Sequence, residues 1–415
     1  MRQLKLAEPD HVRRQSTLRV SERAHTLALD RLSTFPHPKP SRPPPHHAAA
    51  AAGAAGRAHR GGAPPDPPRR AFRASAVCKP WRRILAGRRF RRRYREFHGT
   101  PPILGLFHQR VRFVPTSALL PAHSGLPDWF AMDCRHGRAL FAHIGDDEKT
   151  LDLIVLDPVT GHQRRVPWPH DDWAKCSAAV LCAAQGCHHH SCQDGHFFVA
   201  FVVTKKKKVS LGWLYSSETR MWSNLNSLHH SNVKFTNDFG ESSLLLGDAL
   251  YFNGGRIMEC QLGTLRLSSF EKPIDRYGIL MIAEDGGLGF AAVVDVTNLT
   301  LWSREAGPEG AMGWTPLRVI DLKMLLPDVD LSIKSFETTE YIPTFGGAVY
   351  EFPCPRVSGF AEGTHVIFVT TSVGSYMVDL KTGRASKVSD PGRLFFPFMS
   401  FYIPAMEAAS TGEGQ

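Results

Sequence analysis

Leu156-Asp157-Pro158-Val159-Thr160-Gly161-His162-Gln163-Arg164-Arg165-Val166 and, far downstream, Val378-Asp379-Leu380-Lys381-Thr382-Gly383-Arg384-Ala385-Ser386-Lys387-Val388 are two copies of one pattern. An apolar strand end leads into Asp-x-x-Thr-Gly, and a basic strand leads out. The aspartate can accept turn N–H groups, and the glycine can take positive φ, so the motif reads as a tight turn between antiparallel strands. Weaker versions stand at Tyr215 to Trp222, Cys260-Gln261-Leu262-Gly263, and Asp295-Val296-Thr297-Asn298 to Trp302. Spread over five intervals, the distance from Asp157 to Asp379 gives about 44 residues apiece, the length of a four-stranded propeller blade. The turns are then predicted to join the outer strands of each blade, with Trp222 or Trp302 packing between sheets. One interval lacks a copy, and the segment from Ser335 to Phe352 is expected to supply that blade. A β-sandwich is the alternative.

The sequence between these turns supports an all-β domain. Runs such as Ala139 to His143, Asp152 to Leu156, Phe197 to Val203, Leu244 to Leu246, Ala249 to Phe252, Phe290 to Val294, His365 to Val369 and Ser375 to Val378 are short. They are also rich in β-branched or aromatic residues and bounded by Gly, Asp, Asn or Pro, which marks strands. Long helical periodicity is absent from this part of the chain.

The chain has 415 residues, 42% of them hydrophobic, enough for a large core, and a net charge of +11. That charge is unevenly placed: residues 1–100 hold 23 Lys+Arg against 6 Asp+Glu, which leaves 27 against 33 for the remainder. The β domain is therefore slightly acidic, which speaks against a nucleic-acid groove on it. Eight cysteines are too few for a disulfide scaffold. Reduced thiols in the cytoplasm or nucleus are expected. No window approaches 18 consecutive apolar residues, so no membrane span is predicted. Residues 1–70 read as a disordered low-complexity leader: Pro, Ala, His, Gly and Arg cannot bury enough apolar area to offset backbone ordering. The Arg-rich, acid-poor start would also suit an organelle transit peptide.

Between leader and β domain lies a basic helical segment with an apolar stripe, Val77, Trp81, Ile84 and Leu85, continued by Phe90, Tyr94 and Phe97. Pro80 predicts a break or restart near Lys79. The run Ala74-Ser75-Ala76-Val77-Cys78-Lys79-Pro80-Trp81-Arg82-Arg83-Ile84-Leu85, then Phe90-Arg91-Arg92-Arg93-Tyr94, then Thr100-Pro101-Pro102-Ile103-Leu104-Gly105-Leu106-Phe107, resembles the second half of an F-box and the segment C-terminal to it. The resemblance is to the grass group of plant F-box proteins with a β-propeller-like associated domain, and it runs in pieces to about Pro404. It implies partial F-box helices at 71–100, a β-propeller-like domain at 101–405 and a disordered tail at 406–415. It further implies that Val77, Cys78, Trp81, Ile84 and Leu85 face a Skp-type adaptor, which with a cullin scaffold would place a target protein for ubiquitin transfer. The Leu-Pro-x-(Asp/Glu)-Leu-Leu helix that opens an F-box has no counterpart between Met1 and Arg70. A propeller-type interaction module without ligase coupling is therefore the second reading, and a nucleic-acid binder acting through the basic leader the third.

Other clusters lead to blander expectations. Cys176, Cys182, Cys187, His188 to His190 and Cys192 offer zinc-type ligands, but without a Cys-x2-Cys pair they read as a variable loop between the Ala178 to Leu181 and Phe197 to Val203 strands, with no metal. Lys205 to Lys208 reads as an exposed turn. Arg88 to Arg95 reads as a helix with solvated arginines and a docked aromatic face. Asp285-Gly286-Gly287-Leu288-Gly289 lies between strands and reads as a hairpin turn. Asp146 to Glu148 and His170 to Asp172 read as acidic turns. The sequence carries no Gly-x-Ser-x-Gly, Walker or His-Glu-x-x-His motif, so no catalytic residue, cofactor or enzyme is predicted.

Overall fold

Phe197–Lys205 shows how the chain builds its core: Phe197, Val199, Phe201 and Val203 face one neighbouring sheet, while Phe198, Ala200 and Val202 face the other. A strand buried on both faces must read as a continuous apolar run, as this one does. In the computed structural model the described residues are 87–108, 113–116, 129–144, 151–169, 176–183, 195–205, 209–229, 242–307, 309–331, 334–338, 350–392 and 394–401.

They form a six-bladed β-propeller. Blade 1 joins the two ends of the domain: β1 (Ile103–His108) pairs with β2 (Phe113–Pro115) on one side and with β26 (Phe395–Met399) on the other. Blade 2 is β3 (Trp129–Arg135), β4 (Arg138–Ile144), β5 (Leu151–Leu156) and β6 (Gln163–Pro167). Blade 3 is β7 (Cys176–Cys182), β8 (Phe197–Lys205), β9 (Val209–Ser216) and β10 (Met221–Asn224), with β11 (Leu228–His229) also on β9. Blade 4 is β12 (Ser243–Leu246), β13 (Ala249–Asn253), β14 (Ile257–Gln261) and β15 (Arg266–Phe270). Blade 5 is β16 (Gly278–Ile282), β17 (Leu288–Val293), β18 (Asn298–Ala306) and β19 (Met312–Asp321), followed by the single-turn helix α2 (Leu322–Leu325). Blade 6 is β22 (Arg356–Phe360), β23 (Val366–Thr371), β24 (Gly374–Asp379) and β25 (Arg384–Ser389). Every pairing is antiparallel within a blade, and six apolar clusters fill the six gaps between adjacent blades.

The turns follow the predicted chemistry at the two strong sites. Asp157 accepts from the N–H groups of Val159 and Thr160, Gly161 takes φ of 73°, and the turn joins β5 to β6. Asp379 accepts from Lys381, Thr382 and the Thr382 hydroxyl, Gly383 takes φ of 68°, and the turn joins β24 to β25. Those hydrogen bonds hold the Asp379 carboxyl below its ordinary range although burial opposes them. Gly286, at φ of 85°, makes the predicted hairpin turn between β16 and β17.

Three expectations are corrected. The segment Ser335 to Phe352 is not a blade: among the described residues β20 (Lys334–Thr338) and β21 (Tyr350–Cys354) pair with each other alone, and blades 5 and 6 pack directly through Ile279, Met281, Val357 and Val369. The sixth blade comes instead from the chain ends, which an interval count along the sequence cannot register. The turn at Asp295 to Asn298 joins β17 to β18, the second and third strands, because the longer β18–β19 pair turns over beyond Ala306. In the helix α1 (Arg88–His98), Phe90 packs on the core between blades 1 and 2, and Tyr94 meets Phe401, but Phe97 is 84% exposed. Phe97 lies to one side of the docked Phe90-Tyr94-His98 line, so the expected three-residue stripe is one residue too wide.

Phe398, fully buried in β26 against Phe107 and Phe113, tests the closure. Phe398→Ala should lower unfolding free energy by about 3–5 kcal/mol in urea melts, with one cooperative loss of β signal, since opening blade 1 uncovers two interblade cores.

Candidate functional site

The described residues put their densest charged cluster on the propeller axis. In β3, Ala131 faces Phe141 and Asp133 faces Leu140, so Met132 is a surplus residue and the strand bulges. The bulge lets Met132 and Asp133 both address blade 3, and alternation then sends Cys134 toward blade 1 and returns Arg135 to the side of Asp133. The hairpin turn between β3 and β4, His136-Gly137, has positive φ at both positions, the geometry of a tight two-residue turn.

Arg135 is 6% exposed and collects partners from alternate blades. Its Nη1 donates to Asp133 Oδ2 at 3.0 Å, and its Nε donates to Glu362 Oε2 at 3.0 Å from the β22–β23 turn of blade 6. Its Nη2 donates to Glu362 Oε1 and, at 3.2 Å, to both the carbonyl and the hydroxyl oxygen of Ser243 in blade 4. Asp133 also accepts from Val180 N–H in blade 3 at 2.8 Å, and Glu362 accepts from Leu245 N–H in blade 4. Blades 2, 4 and 6 are not neighbours, so these bonds must span the axis. The cluster is an internal lock at that end of the channel.

Its electrostatics follow from two carboxylates sharing one guanidinium in a dry place. Burial drives the Asp133 carboxyl up to about 6 and the Glu362 charge adds to that, against the pull of Arg135 and of two backbone N–H groups. Burial alone would lower Arg135, yet the two carboxylates lift it above its ordinary value, so it stays cationic. Burial pushes the neighbouring Cys134 thiol well above its ordinary value, which leaves it un-ionised and unreactive at neutral pH.

Outside the axis, two indoles staple blades at the periphery. Trp222 Nε1 donates to Pro167 O at 2.8 Å across blades 2 and 3, and Trp314 Nε1 donates to Glu271 O at 2.8 Å across blades 4 and 5. Trp302 lies in the core between blades 4 and 5, so both predicted tryptophans pack between sheets. Arg138 donates to Gly195 O at 2.8 Å and lies over the Phe197 ring, tying blade 2 to blade 3.

The expected adaptor-facing residues Val77, Cys78, Trp81, Ile84 and Leu85 lie outside the described residues, as do Cys187 to Cys192, Asp146 to Glu148, Asp171, Asp172 and Lys206 to Lys208. Cys176 and Cys182, expected in a loop, are instead buried at the two ends of the strand β7. Among the described residues no group of three or more His, Cys, Asp or Glu could hold a metal ion, and no helix is long and apolar enough to cross a membrane. The axial residues escaped sequence reading. Their one signal was Asp133 and Arg135 at alternate positions of an otherwise apolar strand ahead of His-Gly; Glu362 gave none.

The fold and this cluster define a six-bladed propeller locked on its axis. No protein family and no curated protein matches the chain. Among solved structures it is similar to a Pseudomonas aeruginosa periplasmic gluconolactonase, PpgL, at 11% identity and a TM-score of 0.37, over 72% of this chain and 98% of that one. It is similar to a Lactobacillus plantarum protein at 11% identity and a TM-score of 0.38, over 71% and 97%. Neither superposition is close enough to match residues.

Asp133 gives the lock a pH signature. A carboxyl whose pKa is higher folded than unfolded adds stability below the unfolded value, and that contribution is lost as pH rises from about 4 to 6. The stability difference between wild type and Asp133→Asn, from denaturant melts at a series of pH values, should therefore fall across that window and then level off. Arg135→Met, which leaves two carboxylates facing each other, should cost about 3–5 kcal/mol at neutral pH.

Proposed function

We propose that this chain is a substrate-recognition subunit of a Skp-cullin-F-box ubiquitin ligase, gripping a target protein with its propeller. The propeller itself supports the coarser reading of a protein-interaction module: a ring that presents many loops and edges. The finer reading rests on the F-box-like residues from Ala74 to Leu85 and on one structural observation. The helix that continues them is mounted on the propeller, through Phe90 and Tyr94 and through the Thr100 hydroxyl, which donates to Gly363 O at 3.1 Å. Because β1 starts where β26 ends, α1 sits at the rim that carries the β22–β23 turn and the axial lock. A hook tethered there would hold the ring at a set distance from the ligase and raise the effective concentration of a bound target.

The missing opening helix favours the second reading, an interaction module without ligase coupling. Purified full-length chain mixed with a purified Skp-type adaptor separates the two. Stoichiometric co-elution is expected, and Trp81→Ala should abolish it while leaving the propeller's melting curve unchanged. Failure of the wild-type chain to bind the adaptor would sink the ligase reading and leave the module.

A further inference from the structure

The β22–β23 turn of blade 6 touches two things at once. Glu362 holds Arg135 on the axis through both carboxylate oxygens, while the next residue, Gly363, offers its carbonyl oxygen to the Thr100 hydroxyl behind α1 at 3.1 Å. The turn itself is closed by its own hydrogen bonds. Thr364 Oγ1 donates to Ala361 O at 2.6 Å and accepts from Val366 N–H at 3.0 Å, and Thr364 N–H donates to Ala361 O at 3.1 Å. Ala361 N–H donates to Val366 O at 3.0 Å, and Ala361 is fully buried in the core between blades 6 and 1.

A tight turn pinned in this way moves as one piece, so a shift of Glu362 is passed to its neighbour Gly363. The two ends of the contact are also suited to transmit. The side chains of Arg135 and Asp133 are 3% and 5% exposed, but that of Glu362 is 29% exposed, so Glu362 is the member of the axial cluster that a group arriving at this mouth meets. On the helix side, Phe90 and Tyr94 dock the first turns of α1 on apolar surface. Its C-terminal end has no such anchor in Phe97, which points into solvent, and Gly99 ends the helix at φ of 67°. The Thr100 bond to Gly363 is what ties that end to blade 6.

We propose that the β22–β23 turn is a relay between the propeller axis and α1: the hold of Arg135 on Glu362 sets how firmly the C-terminal end of α1 is docked. Coupling between two sites is reciprocal, so a partner that engages the segment ahead of α1 is felt at the axis, and a group that draws Glu362 away from Arg135 is felt at the helix. The device has a physical carrier, one closed turn with a bond at each end, rather than mere nearness. It does not rest on the ligase reading, since it concerns the docking of α1 and holds whether or not an adaptor binds.

Hydrogen exchange on the full chain, read by mass spectrometry, tests it. Glu362→Gln keeps the shape of the side chain and removes its charge; it should speed exchange of the α1 amides from Arg95 to Gly99 about fivefold and leave those of Phe197 to Val203 in blade 3 unchanged. Thr100→Val should act alike on α1 and, in the reverse direction, speed exchange of the Leu245 amide, which donates to Glu362. The two substitutions together should change α1 no more than either alone. Asp379→Ala, which loosens the neighbouring β24–β25 turn of the same blade, should leave α1 as it is in wild type. Should Glu362→Gln unfold the ring, the Leu245 amide in Thr100→Val still decides. Unchanged α1 exchange in a folded Glu362→Gln chain, additive effects in the double variant, an unchanged Leu245 amide in Thr100→Val, or an equal α1 response to Asp379→Ala would each overturn the proposal.

Discussion

The ring exists only because Phe395–Met399 finds Ile103–His108. These strands are separated by nearly the whole domain, yet Phe395 faces His108, Phe396 faces Phe107 and Phe398 faces Gly105 in one antiparallel ladder. Gly105 is part of the fit: a Cβ there would lie 2.1 Å from the Phe113 ring, so only hydrogen leaves room for the ring that covers this pair. Until that pairing is made, blade 1 is incomplete, and the clusters between blades 6 and 1 and between blades 1 and 2 each lack a wall. Loop-closure entropy must be met before those contacts repay it, so closure over so long a stretch carries a high entropic cost.

Once closed, the ring is held against splaying from inside and outside. Arg135 draws alternate blades toward the axis with charged hydrogen bonds, while Trp222 and Trp314 fasten neighbouring blades at the periphery. The two devices work at different dielectric. The axial charges sit in a dry place where an unmatched member is expensive, and the peripheral indoles add a modest net bond to area already buried. A ring held this way keeps its surface in fixed relative positions, which suits a protein that works by presenting surface. It also keeps α1 at one rim in a set place relative to the turns around it.

The fold's parts were legible to very different degrees. Asp157 to Gly161 and Asp379 to Gly383 declared their turns because an aspartate acceptor and a positive-φ glycine are local requirements, met within five residues. Phe197 to Val203 declared a strand for the same local reason, and the structure buried both of its faces. By contrast, the placing of one blade went astray at Ser335 to Phe352: a two-stranded ribbon and a blade hairpin use the same residue types. The role of Phe97 was misjudged because which side of a short helix docks depends on what it docks against. Asp133 and Glu362 stand on different blades, so nothing near either one hints that they share a cation.

By itself the sequence determined that the chain after Ile103 is made of short antiparallel strands, where its sharpest turns lie, and that positive charge belongs to the segment before the sheets. Those properties are set by neighbours along the chain, through periodicity, turn geometry and composition. Only the tertiary structure decided that the ends meet in one blade, that one guanidinium holds together three blades, and that a single turn touches both the axis and the residue behind α1. Each of these depends on residues brought close from distant positions, and closeness of that kind is created by packing the sheets around an axis.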